Sequence, residues 1–314
     1  MNTVAATVTS LVDAAASRLW AVLDLDRREA RIEARALAAH AWRVETAWLI
    51  AHGTDVLDEA RITALHALVE QRLAGHPIAY ITGMREFFGR PFAVTPDALI
   101  PRPETELLVE QAIALLDPDR PLRVLDLGTG SGCVAITIAL ERPRAIVTGV
   151  ERSPAAMALA ERNAHRLGAT VRFLESDWFS ALAGERFDLI LGNPPYVATG
   201  DPHLTRGDLR FEPRSALAAG ADGLDDLRRI IREAPAHLTP RGWLWLEHGF
   251  EQGDAARELL REAGMDRVST RSDLAGLPRI SGGRVSENFT PRSEAQAGGT
   301  AENPGNRAFT GISR

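Results

Sequence analysis

Apolar positions recur along this chain with two different spacings, and the change of spacing divides it. In the first 74 residues Leu37, Ala41, Val44 and Trp48 step by four, three and four, and Ile62, Leu65, Leu68 and Arg72/Leu73 repeat the pattern before Gly75. This alanine- and arginine-rich stretch has no strand pattern and predicts a small helical bundle over residues 1–74. Residues 75–101, "GHPIAYITGMREFFGRPFAVTPDALIP", change character. Alternating β-formers, Gly89 at a turn and prolines at both ends predict a β-hairpin that links two domains. Pro103 then opens a helix, "PETELLVEQAIALL", that stops at Asp117-Pro118.

From Leu122 onward strand and helix patterns alternate. "LRVLDLG", "AIVTGVE", "TVRFLES", "RFDLILGN" and "GWLWLEHG" have strand character. "SGCVAITIALERP", "PAAMALAERNAHRLG", "LDDLRRIIREAPAHL" and "EQGDAARELLREAG" have helix character, two of them closed by Gly168 and Gly264. This order predicts an α/β domain over residues 102–284, with a mostly parallel sheet and helices on both faces. Ligands of such sheets sit at the carboxyl ends of the strands. That rule brings Asp126-Leu127-Gly128, Glu151, Ser176-Asp177 and Asn193 to one edge of one crevice. Residues 285–314 are polar, with few large apolar groups, and are expected to form a disordered tail.

Composition narrows the classes. The chain has 314 residues, 45% of them hydrophobic and 25% charged, as in ordinary globular proteins. The net charge of −6 gives no global reason to grip a phosphate backbone. All 36 basic residues are arginine, which we attribute to genome composition. One cysteine, Cys133, excludes an internal disulfide and a cysteine metal cluster. The eight histidines show no metal-ligand spacing, so no metal is expected. The N-terminus lacks a basic leader, no stretch approaches a membrane span, and a cytoplasmic location is expected.

Candidate chemistry begins at "LDLGTGSG", Leu125 to Gly132, which follows a strand and opens a helix. Gly128, Gly130 and Gly132 let a ligand approach the backbone, with Thr129 and Ser131 between them. A dinucleotide fingerprint needs its third glycine at position 133, where Cys133 stands, and this argues against a nicotinamide enzyme. A glycine turn of this spacing suits a nucleoside that carries an amino acid, S-adenosyl-L-methionine. Asp126 would reach its ammonium directly or through water. Glu151, 23 residues after Gly128, can accept both ribose hydroxyls. Asp177 can accept the adenine amine while Trp178 packs on the ring, with Phe179 as a further wall. Cys133 reads as a helix-packing residue and His248 as structural.

"LILGNPPYV" holds the remaining chemistry. Asn193 offers a side-chain carbonyl oxygen, and Pro194 offers a backbone carbonyl on a residue with no N–H. Two rigid acceptors suit a planar –NH2, and Tyr196 can lie on its flat face. Such an amine is a poor nucleophile because its lone pair is delocalised. Holding both hydrogens favours the pyramidal, positively charged geometry of attack, so the fork is worth most in the transition state. The motif alone leaves open whether the amine belongs to a nucleobase or to a glutamine.

The chain resembles the bacterial peptide chain release factor glutamine methyltransferases, the PrmC/HemK group. The likeness spans roughly residues 10–284 and is densest in "HPIAYITGMREFFGRPFAVTPDALIPRPETELLVE", "VLDLGTGSG", "SDWFSALAG" and "LILGNPPYV…DPHLTRGDLRFEPRSALAAGADGL". The first and last of these are specific to the group, whereas the glycine loop is shared by methyltransferases generally. The resemblance implies a Rossmann-like methyltransferase domain and a small helical substrate-docking domain. It also implies cofactor contacts at Gly128 through Gly132, Glu151, Trp178 and Asn193. The substrate glutamine would be held by Asn193, Pro194, Pro195 and Tyr196. That glutamine lies in the Gly-Gly-Gln loop of class 1 release factors, which are therefore the implied partner; separately, no direct nucleic-acid contact is expected, and a monomer is expected. The ribose position is more usually Asp in the group, so Glu151 is a longer acceptor, and the tail after Arg284 lies beyond the group's usual end.

Residues 197–223 form a long stretch beside the motif, with His203, Arg206, Arg210, Glu212 and Arg214. A loop of this length is usually functional, and we expect it to cover the site or touch the protein substrate. Two other classes compete with glutamine methylation: a nucleic-acid amine methyltransferase, and a cofactor-binding interaction module without turnover. Salt-sensitive binding to DNA or RNA distinguishes the first, and an Asn193→Ala chain that keeps its cellular function distinguishes the second.

Overall fold

A computed structural model describes residues 6–286. The N-terminal part is helical: α1 (Val8–Val22), α2 (Arg27–Trp42), α3 (Thr46–Ala51) and α4 (Glu59–Leu73). Three of these helices begin on side-chain caps that satisfy the first free N–H groups. Thr7 and Ser10 form a capping box on α1, Asp26 and Glu29 form one on α2, and Asp58 accepts from Arg61 N at 2.8 Å on α4. Leu19, Leu37, Leu65 and Val69 meet in a core of their own.

The hairpin expected over residues 75–101 is shorter than the sequence pattern implies. Pro77 starts a five-residue helix, α5 (Ile78–Thr82), which Gly83 ends in the left-handed region. Only β1 (Met84–Phe87) and β2 (Arg90–Ala93) pair, across a turn at Phe88-Gly89. Tertiary packing overrides the β-forming residues here: Ala79 buries against Val94 and Ile100, and the Tyr80 hydroxyl donates to Ala98 O at 3.1 Å. After a single tight turn at Pro103–Thr105 comes α6 (Glu106–Leu115).

The remaining elements alternate. They are β3 (Arg123–Leu127), α7 (Cys133–Glu141), β4 (Ile146–Glu151), α8 (Pro154–Leu167), β5 (Arg172–Glu175) and β6 (Phe187–Gly192), followed by α9 (Asp225–Glu233), β7 (Leu238–Glu247), α10 (Gly253–Glu262), β8 (Met265–Ser272) and β9 (Pro278–Val285). The sheet order is β5-β4-β3-β6-β7-β9-β8. The first five strands run parallel, which makes the sheet mostly parallel as the alternation implies. The strands β8 and β9 add an antiparallel edge that periodicity did not reveal. β8 is short of buried apolar side chains, and β9 carries Gly282 and Gly283 in its middle.

Both faces of the sheet are covered. Leu125, Ile190, Leu244 and Leu246 pack under α9 and α10, while Val124, Leu189, Leu191 and Trp245 pack under α6 and α7. Of the expected tail, Val285 belongs to β9 and is buried, a correction of one strand residue; the rest from residue 287 lies outside the described residues. Among the described residues no helix is long and apolar enough to cross a membrane, and no group of three or more His, Cys, Asp or Glu could hold a metal ion.

Candidate active site

The carboxyl ends of β3, β4 and β6 open into one cavity. Gly128, Gly130 and Gly132 all have positive φ (66°, 55° and 83°), which L side chains rarely adopt. At Gly128 an added Cβ would stand 3.2 Å from the ring of Trp178, so glycine is needed for two reasons. The loop lies against β4, with Thr129 N donating to Val150 O at 2.9 Å and Gly130 N donating to Glu151 Oε2 at 3.0 Å. The other oxygen of Glu151 accepts from Ser153 N at 2.9 Å. Both oxygens are thus oriented by backbone donors before any ligand arrives.

Asp126 is 2% exposed and lines the cavity. Its Oδ2 accepts from Thr129 Oγ1 at 2.6 Å and from Ala135 N at 3.2 Å, and among the described residues nothing donates to Oδ1. Burial pushes this carboxyl up to about 7, nearby Glu151 adds to the shift, and the two hydrogen bonds oppose it. An incoming cation would favour its ionised form.

Asp177 also reaches the cavity, but its two oxygens already take Arg229 Nη1 at 3.0 and 2.8 Å. Trp178 adopts φ 51°, is buried, and ties its indole N–H to Asp226 Oδ1 at 3.2 Å, which holds the ring as a wall beside Gly128. Thr129, Ser131, Asn193 and Pro195 complete the sequence-derived lining. Gly132 lies behind it, where a Cβ would stand 2.7 Å from Ile136 Cδ1 and 3.1 Å from Ala160 Cβ; this glycine lets α7 and α8 approach. Pro194 and Tyr196 lie outside the lining as well.

Asn193 follows the last residue of β6. Its Nδ2 donates to Thr105 Oγ1 at 3.1 Å, and no described residue donates to its Oδ1. The backbone carbonyl of Pro194, a buried residue, likewise has no partner among the described residues. A backbone carbonyl without a partner is free to accept from an incoming donor. The Tyr196 hydroxyl donates to Glu247 Oε1 at 3.3 Å, and Tyr196 O accepts from Gln252 Nε2 at 3.0 Å. Burial raises the Tyr196 phenol, with Glu247 beside it acting in the same direction.

Cys133 is buried and its thiol is pushed up to about 12 by burial, so it is not an available nucleophile. His248 is fully buried between Gly249 O and Ser281 Oγ, 2.8 Å from each, and burial lowers its pKa. It holds β7 to β9.

Several lining groups escaped the sequence: Asp97 to Leu99, Arg102, Thr105, Arg152 and the Pro213–Ala216 turn. Residues 197–223 are not structureless, for tight helical turns occupy Pro202–Thr205, Gly207–Phe211 and Arg214–Ala216. Pro213, Ser215 and Ala216 close one side of the cavity, and Arg152 clamps them by donating to Ser215 O at 2.9 Å. Glu212 is buried, ion-paired with Arg102, and accepts from Ile100 N at 2.9 Å. Arg210 donates to Ala74 O, while His203 is exposed beside Asp201. The alternating signs of charge in "DPHLTRGDLRFEPR" were the available hint that the segment pairs with the body.

Comparison with known proteins agrees with this architecture. The methyltransferase small domain family matches residues 103–207, and the PrmC N-terminal domain family matches residues 16–83. A release factor glutamine methyltransferase from Bordetella pertussis is 55% identical over 254 residues, 81% of this chain and 94% of that protein. One from Burkholderia pseudomallei is 50% identical over 279 residues, 87% of this chain and 96% of that protein. Among solved structures, the hMettl16 catalytic domain in complex with a MAT2A 3′UTR hairpin is 16% identical with a TM-score of 0.52, over 71% of this chain and 84% of that one; this likeness concerns the fold alone.

Proposed function

The chain belongs to the family of release factor glutamine methyltransferases, and we propose that it methylates the glutamine of the Gly-Gly-Gln loop of class 1 peptide chain release factors. S-adenosyl-L-methionine is the methyl donor, and the products are N5-methylglutamine and S-adenosylhomocysteine.

The cavity suits this cofactor chemically. Glu151, its oxygens already aimed by backbone N–H groups, takes the ribose hydroxyls. The open Oδ1 of Asp126 takes the ammonium, and the Trp178 ring walls the adenine. S-adenosyl-L-methionine supplies a methyl group bonded to a positively charged sulfur.

The observation that carries the reading is the pair of unpartnered acceptors, Asn193 Oδ1 and Pro194 O, at the end of β6. They accept the two N–H donors of the substrate carboxamide, which positions its nitrogen and stabilises the charge that develops on it. Pro195 packs at the cavity side of the motif. The methylated nitrogen sheds its proton readily, so no general base is needed. A glutamate in the substrate loop would leave the fork unsatisfied, and such mismatches are rejected by roughly 10⁴-fold or more. The net charge of −6 gives no global reason to grip a nucleic acid and so supports a protein partner; the enzyme is proposed to act as a monomer. The test is incubation with labelled cofactor and a purified class 1 release factor. Label on the loop glutamine supports the proposal, and its absence there defeats it.

A further inference from the structure

Glu247 ends β7 behind the motif, outside the cavity lining, and is 1% exposed. Its Oε1 accepts from the Tyr196 hydroxyl, whereas its Oε2 is buried without a hydrogen-bond partner. A carboxyl group so deeply buried is expensive to keep, and among the described residues no ion pair compensates it. The Thr105 hydroxyl stands close enough to influence its ionisation, and the same hydroxyl accepts from Asn193 Nδ2 at 3.1 Å.

These contacts have a direction. A threonine hydroxyl has one hydrogen to give. The unpartnered carboxylate oxygen of Glu247 is the acceptor toward which that hydrogen can turn, and a hydrogen so turned leaves Thr105 able only to accept from Asn193. The –NH2 of Asn193 must then face Thr105, and its Oδ1 must face away. Without that constraint Thr105 can donate to Asn193 Oδ1 equally well, and the inverted amide presents –NH2 to an incoming –NH2. We propose that Glu247 is a positioning residue for methyl transfer: acting through Thr105, it fixes the Asn193 amide so that its oxygen meets the substrate carboxamide. Its bond to Tyr196 ties the other end of the motif to the same carboxylate.

The role requires the ionised form. Four groups influence Glu247 from the elements packed against it: Thr105 and Glu104 on the turn before α6, Tyr196 after β6, and Arg279 on β9. Burial raises its pKa most, Glu104 adds to this, and the nearby Thr105 and Tyr196 hydroxyls and the charge of Arg279 oppose it, leaving it at about 7. Once protonated, Glu247 becomes a donor and the hydrogen-bond order reverses.

The inference rests on glutamine methylation, and its test separates the two. In the unaltered enzyme at saturating cofactor and release factor, kcat should fall by about tenfold per pH unit below about pH 7. Glu247→Gln, with one acceptor oxygen where the carboxylate has two, should lose roughly tenfold or more in kcat at about pH 8, with a smaller change in KM, and should lose the acidic limb. Thr105→Ser should recover most of the turnover lost in Thr105→Val. Thermal melting establishes that each variant folds, and should none fold, the profile of the unaltered enzyme still decides. A flat profile, or a Glu247→Gln enzyme with the parent's kcat and pH dependence, overturns the inference. An unaltered protein that methylates no glutamine defeats the underlying reading instead.

Discussion

In the proposed reaction the Asn193 amide has two tasks, for its nitrogen is held by Thr105 and its oxygen is open among the described residues. Asn193→Ala should therefore lower kcat by about 10²–10³-fold, the loss typical of one preorganised donor or acceptor at a reacting centre. The dissociation constant for S-adenosyl-L-methionine, measured by calorimetry, should move far less; comparable losses in both would assign the side chain to the cofactor. Asp126 makes a different prediction. Its carboxyl is neutral below about 7 and cannot then pair with an ammonium. Cofactor affinity should tighten by roughly tenfold per unit as pH rises toward 7, and Asp126→Asn should flatten that dependence. The buried Glu247 affects stability with a worked sign. Folded, it holds its proton up to about 7, against an ordinary glutamate value of 4.5, so the folded state binds the extra proton between those values. Stability is lost as pH rises through that window, by on the order of 3 kcal/mol at full ionisation. Glu247→Gln should gain melting temperature over the parent as pH climbs from about 5 to 8, and a constant difference would contradict this. The sequence made the Gly128–Gly132 loop and Asn193–Tyr196 legible because each is contiguous. Thr105 and Glu247 were not, since they stand 88 and 54 positions from Asn193 and only the tertiary fold brings them to it.

Elements with strong hydrophobic periodicity were readable, and those decided by long-range packing were not. β3 and β6 are apolar runs flanked by turn residues, so their sequence suffices. The short α5 is a helix made of β-formers, and it exists because Ala79 and Tyr80 find partners at Val94, Ile100 and Ala98. β9 was illegible for a related reason. Gly282 lies directly across from Trp245, and an added Cβ would stand 2.2 Å from the indole Cδ2 and 2.5 Å from Leu244 O. A residue that weakens strand propensity is what allows the antiparallel edge to cover a tryptophan. Gly282→Ala should cost about 1–3 kcal/mol or more in thermal or denaturant unfolding, as overpacking does; an unchanged midpoint would mean that Trp245 moves freely.

Residues 197–223 tie distant parts of the molecule together, touching the N-terminal helices as well as the cavity. Arg72, 6% exposed, pairs with Glu33 at 2.8 Å on α2 and with Asp208 at 2.9 Å, while the ring of Phe211 packs on His76. Arg72→Met removes the shared cation from a half-buried Glu33 and should cost about 3 kcal/mol, read by denaturant unfolding. A loss below about 1 kcal/mol would show the joint to be solvated. The helical N-terminal part was visible in the sequence from its spacing, but not this joint, whose charged partners are 39 and 136 positions apart. All of this architecture serves one proposed reaction, the transfer of a methyl group to a carboxamide nitrogen held by Asn193 Oδ1 and Pro194 O. Fragmentation mass spectrometry of a class 1 release factor after reaction with the protein and S-adenosyl-L-methionine tests that directly. We predict the mass of one added CH2 on the side chain of the glutamine in the Gly-Gly-Gln loop and on no other residue; an unmodified glutamine, or a methyl group carried elsewhere, would contradict the account.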